Sequence, residues 1–339
     1  MSAMAATKTF LTGIQTSGMP HLGNYIGAIR PALEAAREHD SMYFLADYHA
    51  LNSVRDPARL RHDVRSVAAT WLACGLDPER TVLYRQSSVP EVFELATVLG
   101  AVTAKGLMNR AHAYKAARDR NAEAGVEDLD AGVNMGLFNY PVLMAADILV
   151  MEADVVPVGR DQRQHIEYTA DIAGSFNHLY GAGYAFPVPE GAFPEGESSL
   201  LPGIDGRKMS KSYDNHIPLF LPENKLKKLV RRIPTDSTPV EDPKDPDSSA
   251  VFQLLEHFAD ADRTAAVRKR LEAGGMGWGE LKNELFDVLN GIFGPMRERY
   301  DALMEPDSEL DAVLEDGAER ARARARATMA KVRAAIGIA

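Results

Sequence analysis

The stretch TFLTGIQTSGMPHLGNYIGAIRPALEAAREHD, residues 9–40, decides the fold. It opens with a short apolar run, TFLTGIQ, that closes on Gly13 and polar residues. It then passes into HLGNYIGAIRPALEAAREHD, where Ile26, Ile29 and Leu33 recur at helical spacing. The order is strand, turn, helix. It returns downstream: MYFLADYHAL predicts a strand, ARLRHDVRSVAATWLACGL a helix, and TVLYRQS another strand. Alternation of this kind predicts an α/β fold with a parallel sheet and crossover helices, in which ligands bind beyond the carboxyl ends of the strands.

From about Glu91 to Gly136 the rhythm breaks into helical patterns and a polar loop, RDRNAEAGVEDLDAG, which we expect to be a partly mobile connective insertion. Beyond it the pattern predicts a helix opening at Pro141, a strand at VVPVG and a further helix. A Gly/Pro/Phe-rich segment follows, then a final strand running into LPGIDGRKMSKSYDN. From about residue 222 the periodicity is helical, interrupted by PTDSTPVEDPKDPDSS, and the chain ends in an Ala/Arg-rich helix. The expected division is therefore a sheet domain over 1–221 and a helical domain over 222–339.

The 339 residues, 45% hydrophobic and 25% charged, have the balance of a globular protein with a real core. MSAMAATKTF lacks a signal-peptide pattern and no window has the apolar run of a membrane span, so a cytoplasmic protein with no membrane partner is expected. The single cysteine, Cys74, excludes an internal disulfide and a cysteine-clustered metal site; in ATWLACGL it reads as a small buried hydrophobe. A net charge of −10 argues against a protein that coats nucleic acid, because that mode needs a broad basic surface. RNA binding would need a local basic patch.

Two segments carry phosphate chemistry. Thr12–Asn24, TGIQTSGMPHLGN, is a loop of small residues opening a helix, where free N–H groups and the helix dipole favour phosphate and His21 and Asn24 add side-chain donors. Gly23 would let a flat base approach the backbone. Lys208–Ser212, KMSKS, places two lysines three residues apart among serines, suited to charge developing on a leaving pyrophosphate. Either segment alone could be a turn or a solvated charge run; the pair on one α/β pattern makes that reading improbable.

HLGN resembles the HIGH signature of class I aminoacyl-tRNA synthetases and KMSKS matches their second signature letter for letter. TGIQTSG, YPVLMAADIL and VPVGRDQRQHIE resemble the bacterial tryptophanyl-tRNA synthetases, with similarity from about residue 8 to the end. The resemblance implies a Rossmann-like nucleotide-binding domain followed by a helical tRNA anticodon-binding domain. It implies ATP-dependent activation of L-tryptophan to tryptophanyl-adenylate, with release of pyrophosphate, then transfer to tRNA(Trp). It also implies a homodimer, and Mg²⁺ that arrives with ATP, held by phosphates and water without protein ligands. The reaction needs no enzyme nucleophile, in keeping with a sequence that has no Ser-His-Asp pattern and no metal-ligand cluster. SYDN after the lysines differs from some relatives and leaves the roles of Asp214 and Asn215 open.

By the same resemblance His21, Lys208 and Lys211 are catalytic. ATP falls to Gln15, Thr16, Ser17, Gly18, His21, Gly23 and Asn24, to Lys115, Gly159, Asp161 and Gln162, and to Lys208, Met209, Ser210, Lys211 and Ser212. Tryptophan falls to Leu11, Gly13, Gln15, His49, Tyr140, Met144, Asp147, Val156, Val158 and Gln162. The residues themselves support one part of this directly. Tyr140, Met144 and Asp147, four and three apart, share a helix face, so a flat ring packed by the first two could meet a carboxylate that accepts hydrogen bonds. The indole N–H only donates.

For RNA, two basic patches stand out: Lys225, Lys227, Lys228, Arg231 and Arg232, and the arginines and lysine flanking an Ala321, Ala325, Met329, Val332, Ile336 stripe on the last helix. The apolar LATVLGAVTAKGLM of the insertion would be a large exposed patch unless a second copy covers it. A tyrosine-specific relative, a non-catalytic tryptophan-binding regulatory relative and a plain adenylyl-transferring enzyme remain as alternatives.

Overall fold

The computed structural model describes residues 8–16, 18–159, 162–193 and 201–338. Its sheet contains β1 (Thr9–Ile14), β2 (Asp40–Leu45), β3 (Val82–Arg85), β4 (Val155–Pro157) and β5 (Glu190–Ala192). The spatial order is β3-β2-β1-β4-β5, with every neighbouring pair parallel. β1 and β2 run in register from Thr9 opposite Asp40 to Ile14 opposite Leu45. From Ser41 to Leu45 every residue of β2 is buried, the near-continuous apolar pattern of a parallel strand covered on both faces.

Helices fill the crossovers. α1 (Leu22–Asn24) continues through a π-helical turn, Tyr25–Ile29, into α2 (Arg30–Glu38); then come α3 (Asp47–Ala50) and α4 (Pro57–Ala73). α4 starts where it does because Pro57 occupies its first turn and the Asp56 side chain accepts from the Ala58 N–H at 2.9 Å. The insertion forms α5 (Glu91–Val102), α6 (Lys105–Met108) and α7 (His112–Glu123), followed by α8 (Met135–Val150) and α9 (Arg163–Tyr180). The polar loop after α7 is tied down: Asn121 donates to the carbonyls of Leu129 and Ala131, and the Tyr114 hydroxyl to Asp130. α10 (Glu223–Arg231), α11 (Ala250–Phe258), α12 (Ala261–Ala273), α13 (Trp278–Met304) and α14 (Leu310–Ile336) complete the chain.

Three sequence expectations need correction. The strand expected over MYFLADYHAL stops at Leu45; the N–H groups of Tyr48 and His49 are taken by the Gln86 carbonyl oxygen of the side chain, at 3.1 and 3.4 Å, and the chain turns into α3. The helix expected to open at Pro141 opens at Met135, where the Asn134 side chain accepts from the Leu137 N–H at 2.9 Å and leaves Pro141 inside the helix. The fifth strand lies at Glu190–Ala192, within the Gly/Pro/Phe-rich segment, whereas LPGIDGRK contributes only a bridge between Pro202 and Lys208.

The two faces of the sheet are covered differently. Against one pack Ile26, Ile29, Leu33 and Trp71; α10, α11 and α13 continue this core outward, α13 lying on α4, where its Tyr300 hydroxyl meets the Ser66 hydroxyl at 2.9 Å. Against the other pack α5, α8, α9 and the stripe of α14, whose Ala321, Ala325, Met329 and Val332 are fully buried. The last helix thus returns to the sheet. Gly317 permits it: a Cβ there would stand 1.9 Å from the Leu83 carbonyl oxygen of β3. Ion pairs flank the seam, from Arg322 to Glu315, Arg324 to Asp40, Arg326 to Glu91, Lys331 to Glu152 and Arg333 to Glu94.

Candidate active site

β1 delivers the first signature. Past its end Gln15 is exposed and Thr16 buried, Gly18 adopts a left-handed φ of 79°, and His21 caps the helix. His21 Nδ1 accepts from the Gly23 N–H at 3.1 Å, while the Asn24 side-chain oxygen accepts from the His21 N–H at 3.1 Å. With Nδ1 engaged as acceptor, the neutral ring carries its proton on Nε2, and the Asn24 amide nitrogen also remains a donor. Burial, then His216 and Lys211, lower the His21 pKa to about 4, so the ring is neutral at pH 7. Gly23 has a local role as well: a Cβ there would meet the His21 ring at 3.0 Å.

The second signature folds across the first. The Leu201 carbonyl accepts from the Met209 N–H at 2.8 Å and Met209 is buried, while Lys211–Tyr213 forms a 3₁₀ turn capped by the Ser210 side chain. His21, Gly23, Asn24, Lys208, Met209, Ser210 and Ser212 line one cleft of 440 Å³ together with Leu201 and Tyr213. Among the described residues, none of those lining it is a carboxylate. Neutral donors and lysine on opposing walls make a site for a polyanion. Lys211 itself is partly desolvated, which lowers its pKa.

On α8, Asp147 is 2% exposed and already bonded. Gln86 Nε2 donates to both of its oxygens at 2.9 Å, and His49 Nε2 lies 2.9 Å from Oδ2. Burial pushes its carboxyl pKa up, and the bonds from His49 and Gln86 pull the other way. A carboxylate has about four acceptor sites, so one further donor can still be received on Oδ1. Tyr140, one helix face with Met144 and Asp147, meets His165 Nε2 through its hydroxyl, and the Gln162 side-chain oxygen lies 2.8 Å from His165 Nδ1. That makes a chain from Gln162 through His165 to Tyr140.

Among the other expected residues, Leu11 is fully buried in β1, and Gly13 leaves space for Phe44, whose ring a Cβ would approach to 2.7 Å. Val156 lies in β4 and is buried; Val158 follows the strand, its N–H donating to Ala192 O at 3.0 Å, and Gly159 is exposed beyond it. Lys115 is exposed on α7, one turn past His112, whose N–H is held by Gln164 at the start of α9; it does not line the 440 Å³ cleft. Ser17 and Asp161 lie outside the described residues.

Sequence reasoning missed Gln86 and His165, and left the role of Asn215 open. Gln86 stands just beyond the carboxyl end of β3, where the rule for parallel sheets locates ligands, and His165 is one helical turn from Gln162. The basic patches separate as well. Each charged side chain flanking the α14 stripe is paired to a carboxylate. Lys225 and Lys228 of α10 and Arg232 at its end have no such partner among the described residues and share a 430 Å³ cleft with Asp214 and His216 beside the lysine loop.

The family model for tRNA synthetases class I (W and Y) matches residues 5–294. A tryptophan–tRNA ligase of Pseudomonas aeruginosa is 55% identical over 334 residues, 98% of this chain and 74% of that one. One from Neisseria meningitidis is 51% identical over 98% of both chains. Among solved structures, tryptophanyl-tRNA synthetase from Campylobacter jejuni complexed with ADP and tryptophan superposes with a TM-score of 0.88 at 41% identity, covering 97% of this chain and 99% of that one.

Proposed function

The chain belongs to the class I tRNA synthetases (W and Y) and acts as a tryptophan–tRNA ligase, and we propose that it holds ATP between its two signature segments while Asp147 selects the indole ring. The observation that carries this reading is the single cleft lined by both signatures. In it the His21 Nε2–H and the Asn24 amide donate to phosphate oxygens. Lys208 and Lys211 offset the charge that grows on pyrophosphate as the tryptophan carboxylate attacks the α-phosphorus and the bridging P–O bond breaks. The protein supplies position and charge, with no covalent intermediate on its side chains. Mg²⁺ would ride on the phosphates, since the described lining residues offer it no carboxylate.

Asp147 receives the indole N–H on its remaining acceptor site, His49 and Gln86 keep it oriented, and Met144 and Tyr140 pack the ring. Gln15 and Gln162 remain the proposed partners of the amino acid's ammonium and carboxylate. The tyrosine-specific and non-catalytic alternatives are not favoured, given relatives at 55% and 51% identity that are tryptophan–tRNA ligases. The test is Asp147→Ala, which should lower kcat/KM for tryptophan by about 1.5–3 kcal/mol, roughly ten- to a hundred-fold. The parent should also discriminate against an analogue with sulfur in place of the indole nitrogen, and the variant should not. An unchanged ratio in the variant would remove this role from Asp147.

For tRNA, the unpaired cations of α10 support an interaction with phosphates. A second copy would cover the apolar groove between α5, α6 and α8, lined by Ala96, Met108, Phe138, Val142 and Leu143, with Met135 66% exposed nearby. Light scattering should then give a dimer mass, and a monomer mass at micromolar concentration would contradict it. No described helix is long and apolar enough to cross a membrane, and a cytoplasmic location fits the proposed role.

A further inference from the structure

Asn215, 1% exposed, sits under the loop that carries both signature lysines. Its side-chain oxygen accepts from the Ser210 N–H at 2.8 Å. Its amide nitrogen donates to the Lys208 carbonyl at 3.0 Å and to Asp205 Oδ1 at 2.7 Å, and its own carbonyl accepts from the Ile204 N–H at 2.9 Å. The orientation of the amide is fixed by its neighbours, because a flip would set oxygen against two acceptors and nitrogen against a donor. Asp205 is anchored in turn by Arg207, through its N–H at 3.0 Å and its guanidinium at 2.7 Å. Gly203 leaves room for the arrangement, since a Cβ there would stand 2.5 Å from the Asn215 amide.

One planar group therefore ties the backbone of Lys208 to that of Ser210, immediately before Lys211. Hydroxyl or aliphatic side chains cannot bond to one N–H and two acceptors at once. We propose that Asn215, anchored by Asp205, is a positioning residue for the activation step, holding the loop so that Lys208 and Lys211 converge on the ATP phosphates. This rests on the role given to those lysines above. Displacement by about 1 Å can cost on the order of a hundred-fold in rate, while among the described residues the partners of Asp147, His49 and Gln86, share no bond with this network.

The experiment measures ATP–pyrophosphate exchange and equilibrium tryptophan binding for the parent, Asn215→Ala, Asn215→Asp, Asp205→Ala and Lys211→Ala. Asn215→Ala should lose on the order of a hundred-fold in kcat with tryptophan affinity within about two-fold. Asp205→Ala, on an exposed turn, should lose less. In Asn215→Asp an ionised carboxylate would face two acceptors, so its kcat relative to the parent should rise as pH falls and the introduced carboxyl gains a proton to donate. The Asn215→Ala ratio should stay flat. Asn215→Ala within two-fold of the parent beside a large Lys211→Ala loss would overturn the proposal alone. A silent Lys211→Ala would overturn the lysine assignment and the proposal with it. Parallel loss of tryptophan affinity, or a pH-independent Asn215→Asp ratio, would show a merely structural residue.

Discussion

His21 caps its helix and, in the function proposed above, also donates to phosphate. Its ring accepts the Gly23 N–H, and that bond, together with burial and two neighbouring cations or potential cations, opposes protonation. A histidine whose folded pKa is depressed contributes stability that is fully present above its unfolded value near 6.5 and is lost as pH falls towards about 4. The imidazole resonances of His21 should therefore titrate with a midpoint near 4 in NMR spectra, and a midpoint near 6.5 would contradict the neutral donor assigned here. At this scale the sequence was most legible where residue type and spacing already limit the chemistry. HLGN and KMSKS, which line one cleft, and Tyr140, Met144 and Asp147, which lie on one helix, stood out in the sequence because each uses local spacing. Gln86 and Asn215 could not be read, because Gln86 is tied to Asp147, 61 residues away, and Asn215 to groups that only the folded loop brings around it.

Among the elements, the strands of the first half were legible from their apolar runs, because a parallel strand buried on both faces leaves a continuous signature. β5 was not. It is three residues long and lies within a Gly- and Pro-rich segment, so its pairing with β4 comes from the sheet rather than from propensity. The terminal helix was half legible: its stripe gave the face it buries, and nothing in its sequence said that the partner is the sheet. The close approach at Gly317 can be tested. Gly317→Ala would drive a methyl into the Leu83 carbonyl, and we expect about 1–3 kcal/mol of lost stability in urea unfolding, despite the higher helix propensity of alanine. A change below about 0.5 kcal/mol would mean that α14 does not lie this close to β3.

Over the whole molecule, a chain of net charge −10 must gather its cations to bind RNA. The arginines of α14 are engaged along the seam, and α10 keeps Lys225, Lys228 and Arg232 available beside the lysine loop. Aminoacylation should therefore weaken as salt rises. Replacing these three by glutamine should reduce the log–log salt slope of tRNA binding by roughly 0.7–0.9 for each phosphate that is no longer neutralised, leaving pyrophosphate exchange nearly unchanged. Equal slopes in variant and parent would move the RNA surface elsewhere. The central claim, that this sheet and its two signature segments activate tryptophan, is tested most directly by ATP–pyrophosphate exchange with each amino acid in turn. The account predicts exchange with tryptophan far above all others; exchange highest with tyrosine, or none with any amino acid, would contradict it.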